Sequence, residues 1–113
     1  MTNKEKKYLS DMNTAIEKLY IHLRGINSED DYIKNITVKS AVERELEIIG
    51  EAMNNLLCIA PDISITTPRR IISRRNRLIH GYDGIDDRLA LQVVNDHIPI
   101  LKSEVEKLLC GDK

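Results

Sequence analysis

The chain has 113 residues, a formal net charge of −1, and 42% hydrophobic against 31% charged residues. That length predicts one domain spanning 1–113, with the composition of a soluble globular protein rather than a disordered one. With no Trp or Phe, the core must be aliphatic, drawn from 16 Ile, 12 Leu and 5 Val, and four Tyr are too few for an aromatic base-stacking platform. A net charge near zero also speaks against a uniformly basic nucleic-acid binder.

Helical periodicity runs through most of the chain. Leu9, Met12, Ile16, Leu19 and Leu23 recur at spacings of 3 and 4, which predicts a helix over 4–24 with Gly25 at its C-cap. Ser28 followed by Glu29, Asp30 and Asp31 is an N-cap with an acidic first turn, opening a short helix to about residue 35. Val42, Leu46, Ile49, Met53, Leu56 and Ala60 form the longest stripe, a helix over about 37–60 that Pro61 closes. After a connector, Thr67 and Pro68 read as an N-cap and a first-turn proline, opening a helix over 68–80 that Gly81 stops. Asp83-Gly84 turns the chain, and Asp86 caps a last helix over about 87–109, bearing Leu89, Val93, Val94, Leu101, Val105 and Leu108. Pro99 predicts a kink there rather than an end, because the periodicity resumes beyond it.

Period-2 alternation is missing, so the expected fold is all-α: an antiparallel bundle of four main helices plus a short extra one. The long stripes also suit a two-fold homodimer packed helix to helix. No apolar run of signal-peptide length follows the charged N-terminal residues, and none approaches a membrane span, so the chain reads as cytoplasmic with no membrane partner. Cys58 and Cys110 lack a Cys-x-x-Cys spacing and read as reduced core fillers. His22, His80 and His97 have no ligand-type pairing, so neither a metal nor a cofactor is expected, and His22 and His97 read as structural. Arg44 and Glu51, seven apart on one helix face, are either solvated or support a site from behind.

The chemistry concentrates in one segment. Residues 69–77 hold five of the chain's eight Arg, namely Arg69, Arg70, Arg74, Arg75 and Arg77, with no carboxylate among them. Such a run is either a solvated face or an anion site. Its clustering on one short helix favours phosphate binding, for which the planar guanidinium fork is suited. Asn76 and His80 are four apart and share a helix face, whereas Arg75 lies about 140° around the axis from His80. Convergence of Arg75 and His80 on one ligand therefore suits a composite site where two protomers meet. His80 alone is either a structural histidine stabilised at a helix C-terminus or a proton carrier, with an unperturbed pKa of about 6.5. Tyr82 either packs over the helix end or is held outward by Gly81.

The pattern Arg75-x-x-x-x-His80-x-Tyr82, with Asn76 after the Arg, resembles the signature of the HEPN superfamily. It is most similar to the HepT-like toxins, the HEPN partners of minimal nucleotidyltransferases. Val42-Glu43-Arg44-Glu45-Leu46-Glu47-Ile48-Ile49-Gly50-Glu51-Ala52 resembles that family's long helix, and Pro99 fits its kink. The resemblance covers essentially the whole chain. It implies a metal-independent ribonuclease, the toxin of a type VII-like toxin–antitoxin pair acting on tRNA or mRNA. It further implies catalytic Arg75 and His80 in a cleft between protomers, with Asn76 assisting. It also implies neutralisation by AMP added to Tyr82 by a nucleotidyltransferase antitoxin. The alternative within the same resemblance is a non-catalytic subunit that binds nucleotide or substrate for a nucleotidyltransferase.

These residue types suit that chemistry. When the RNA 2′-OH is the nucleophile, the protein needs no Ser or Cys nucleophile, only proton transfer and stabilisation of the phosphorane charge. Neutral His80 can take the 2′-OH proton and its counterpart in a second protomer can protonate the leaving oxygen, while Arg75 stabilises the developing charge. Asn76 can orient His80 or a phosphate oxygen. With so few aromatics, RNA would be held through its phosphates, by Arg69, Arg70, Arg74 and Arg77.

Overall fold

The computed structural model of the chain describes residues 1–65 and 87–111, and for Leu89 the backbone alone. The first helix, α1 (Asn3–His22), opens on a capping box: the Glu5 N–H donates to Thr2 Oγ1 at 3.1 Å, and the Thr2 N–H donates to Glu5 Oε2 at 2.9 Å. Its C-cap is Leu23, and Gly25 follows with φ +84°, the left-handed conformation that lets the chain reverse. The periodicity runs one or two residues past the observed end because Leu23 still packs half-buried against the core.

Ser28 caps α2 (Glu29–Lys34), its Oγ accepting from the Asp31 N–H at 3.1 Å, as its acidic first turn predicts. Asn35 ends α2 and at once caps α3 (Ile36–Ile59), its Oδ1 accepting from the Val38 N–H at 3.0 Å. Past Ala60 the chain reaches Pro61 and leaves the helix. The predicted helix over 68–80 lies outside the described residues.

Beyond it come α4 (Asp87–Asp96) and α5 (Ile98–Gly111). They are one hydrogen-bonded path broken at His97, which still donates to Val93 O at 2.9 Å and accepts from the Leu101 N–H at 3.0 Å. Pro99 explains the break: it has no N–H for the Asn95 carbonyl four residues back, and its ring would collide with that carbonyl. The kink expected at Pro99 thus falls two residues upstream of it, at His97.

All described elements are helical, and they form an all-α bundle. His22 at the end of α1 meets Glu45 in the first half of α3, so these two long helices run antiparallel. α5 also packs against α1, while α2 and α4 cover the N-terminal part of α3. The core is the predicted aliphatic one: Leu9, Met12, Ile16 and Leu19 from α1, Val42, Ile49, Met53 and Leu56 from α3, and Ile98, Leu101 and Val105 from α5 are all buried. Burying a Leu, Ile, Val or Met side chain contributes about 1.5–3 kcal/mol, so these stripes dominate the favourable side of folding. Among the described residues the largest fully buried side chain is nonetheless aromatic, Tyr32 of α2. Cys58 and Cys110 are not core fillers; both are free and exposed. Cys58 stands two positions after buried Leu56, about 200° around α3, which turns it toward solvent.

Candidate functional site

Eight residues carry the expected chemistry: Arg69, Arg70, Arg74, Arg75, Asn76, Arg77, His80 and Tyr82. All of them lie outside the described residues, between Ile65 and Asp87. What the structure does give is the framework on which that segment begins and ends.

At its start, Ile65 is buried, with its N–H donated to Ile63 O at 2.9 Å. At its end, the first two residues of α4 are held by two different helices. Asp87 Oδ2 accepts from Lys39 Nζ of α3 at 3.3 Å, and Arg88 Nε pairs with Glu29 Oε1 of α2 at 3.1 Å. The first pair is sheltered, with both side chains about one-fifth exposed (22% and 23%), whereas the second is open to water at 78% and 51%.

Tyr32 lies near this junction, fully buried, and among the described residues its hydroxyl has no hydrogen-bond partner. Burial, followed by the nearby Glu43 and Asp87 carboxylates, holds its phenol well above the ordinary tyrosine range. Glu43 is pushed upward too, by burial first and then by the Asp87 carboxylate, with Lys39 pulling the other way. At this junction the Glu43 and Asp87 carboxylates therefore lie near the buried Tyr32, and Lys39 reaches Asp87.

Deeper along α3, Glu45 is buried at 6% exposure, with Oε2 3.0 Å from His22 Nε2 and Oε1 without a partner among the described residues. Sequence reasoning passed over Glu45, although the signal was present: it stands three residues after Val42 and four before Ile49, on the apolar stripe itself. Of the two histidines read as structural, His22 is tied to Glu45 and His97 is buried at the α4–α5 break. Arg44 and Glu51 are both exposed on α3. Lys39 and Asp87 are 48 residues apart, and nothing in the sequence pairs them.

Residues 12–108 match the model of the family described as "Ribonuclease HepT-like". The chain belongs to this HepT-like family of the HEPN superfamily. It is similar to a protein of Thermococcus cleftensis named "Probable ribonuclease HepT", 38% identical over 109 residues that cover 96% of this chain and 98% of the relative. A protein of Caldanaerobacter subterraneus subsp. tengcongensis named "Putative RNase TTE0752" is 32% identical over 109 residues, 96% of each chain. No solved structure matches. Among the described residues, no helix is long and apolar enough to cross a membrane.

Proposed function

We propose that this HepT-like chain is a ribonuclease. The observation that carries the reading is the family match over residues 12–108, which includes the whole of Arg75-x-x-x-x-His80-x-Tyr82. The names of its full-length relatives point the same way. In this reaction the RNA 2′-OH attacks the adjacent phosphorus, the P–O5′ bond breaks, and a 2′,3′-cyclic phosphate and a 5′-hydroxyl result. His80 accepts the 2′-OH proton, and the His80 of a second protomer delivers one to the departing 5′-oxygen. Arg75 stabilises the charge gathering on the phosphorane oxygens, and Asn76 orients His80 or the phosphate. Arg69, Arg70, Arg74 and Arg77 hold neighbouring phosphates. The reaction needs no metal, because the nucleophile is supplied by the substrate.

The cleft is formed by a homodimer: on the helix that the sequence predicts over 68–80, Arg75 and His80 would lie about 140° apart, which suits convergence across two protomers. The protein acts in the cytoplasm as the toxin of a toxin–antitoxin pair, on tRNA or mRNA. Its antitoxin is a nucleotidyltransferase that joins AMP to the Tyr82 hydroxyl, releasing pyrophosphate from ATP. The adduct puts bulk and negative charge two residues from His80, where an RNA phosphate would otherwise approach.

The test is RNA cleavage by purified protein in EDTA, comparing wild type with Arg75→Ala and His80→Ala. Loss of about 10²–10⁴-fold in each variant is expected for a positioned acid–base or charge-stabilising group. Equal rates in all three would remove these residues from the mechanism. RNA or nucleotide binding without any turnover would instead indicate a non-catalytic subunit serving a nucleotidyltransferase. Incubation with the partner enzyme and ATP should add one AMP by intact mass, and Tyr82→Phe should abolish it.

A further inference from the structure

The pair between Lys39 and Asp87 stands at the point where the signature segment rejoins the described bundle. Asp87 follows Tyr82 by five positions and His80 by seven. A trans chain extends at most about 3.6 Å per residue, so whatever fixes Asp87 confines Tyr82 to within about 18 Å of it. The first turn of α4 is fixed twice, on two helices, by residues of opposite charge: Asp87 by Lys39 of α3, and Arg88 by Glu29 of α2.

The two ties are unequal. An exposed pair such as Arg88–Glu29 contributes little, because water and salt screen it. Lys39 and Asp87 are largely sheltered, so their attraction is screened less.

Lys39 also stands against its own helix. It lies in the fourth position of α3, where its N–H donates to the Asn35 carbonyl at 3.0 Å, and a cation there opposes the helix dipole. Asp87, the first residue of α4, sits where the dipole favours an anion. The N-termini of α3 and α4 therefore approach each other, and Lys39 is compensated across the gap rather than along its own helix. Among the described residues, Lys39 is the cation that pairs with Asp87 and also acts on Glu43, offsetting the repulsion between the two carboxylates.

We infer that Lys39 is a positioning residue for the ribonuclease reaction: through Asp87 it locks the start of α4 onto α3 and so fixes where the segment carrying His80 and Tyr82 ends. The inference rests on the ribonuclease reading, but its structural half can be tested apart from it.

The experiment compares Lys39→Met, which keeps most of the stem and removes the charge, with Lys39→Arg, which keeps the charge. Two measurements are made on the full-length protein: steady-state RNA cleavage, and amide hydrogen exchange by mass spectrometry. Lys39→Met should lower kcat about tenfold, in keeping with the cost of a slight misplacement, with KM changed by less than about twofold. It should also speed exchange over α4 while leaving α1 unchanged, and Lys39→Arg should restore both readouts. A raised KM with unaltered kcat would overturn the inference, since Lys39 would then be a direct phosphate contact. So would exchange that is unchanged over α4, or that rises evenly through every helix. If wild type cleaves no RNA, the ribonuclease reading falls, and the exchange comparison still decides whether Lys39 holds the start of α4.

Discussion

His22 Nε2 lies 3.0 Å from Glu45 Oε2, so the last residue of α1 closes onto a carboxylate buried in the apolar face of α3. Glu45 is 6% exposed and its second oxygen has no partner among the described residues, so the His22 hydrogen bond offsets its desolvation. His22→Ala should therefore cost about 1–3 kcal/mol, because it strands a buried carboxylate. In a Glu45→Leu background, which continues the stripe of Val42 and Ile49, the same substitution should cost almost nothing. Urea midpoints of the four proteins in this double-mutant cycle check the pairing, and equal costs of His22→Ala in both backgrounds would disprove it.

At Gly25 the constraint comes from the backbone rather than from space. Its φ is +84°, yet a Cβ added there would meet nothing within 4 Å. Gly25→Ala should thus destabilise by about 1–2 kcal/mol through left-handed strain alone. A denaturation curve with an unshifted midpoint would mean that the reversal between α1 and α2 tolerates an L side chain.

Glu43 gives the fold a dependence on pH whose sign follows from the direction of its shift. A carboxyl raised by burial and by Asp87 binds its proton more tightly in the folded chain than in the unfolded one. Stability from this group therefore falls as pH climbs from the ordinary value of 4.5 through the raised one, and the penalty is complete above that window. Glu43→Gln removes the penalty. Its melting temperature should exceed that of wild type at pH 7, and the difference should vanish as pH drops below the ordinary glutamate value. A gain that persists undiminished in acid would assign the effect to packing instead of charge.

The sequence made the bundle readable wherever local chemistry governs the outcome. Ser28 before three acidic residues is an N-cap because the first turn's N–H groups need an acceptor, and the structure supplies that bond. The stripes from Leu9 to Leu19 and from Val42 to Leu56 are buried because each recurs on one helix face. Pro99 announced a kink rather than an end, whereas the helix breaks at His97, two residues before it. Residue type misled at Cys58 and Cys110, since a usually buried side chain still faces water when its helix turns it outward. Long-range partners were invisible: Lys39 and Asp87 meet only because α4 returns to the N-terminal end of α3. For the candidate site, the pattern from Arg75 to Tyr82 carries the functional reading, and the described structure adds the anchors on either side of it.

Tyr32 provides a last check on the junction beside the site. Among the described residues it is the largest fully buried side chain, in a core otherwise built from aliphatic residues and Met, and the Glu43 and Asp87 carboxylates act on it. Its hydroxyl contributes nothing comparable, because it is buried without a hydrogen-bond partner and a phenol removed from water incurs a desolvation penalty. Tyr32→Phe keeps the ring and deletes the unpaired group, so it should leave stability unchanged or raise it by up to about 1 kcal/mol. Tyr32→Ala should instead lose about 3–5 kcal/mol, as large aromatic truncations in a core do. The two variants separate the ring from the oxygen in one set of melting curves. If Tyr32→Phe were as damaging as Tyr32→Ala, the hydroxyl would have to be bonded in solution.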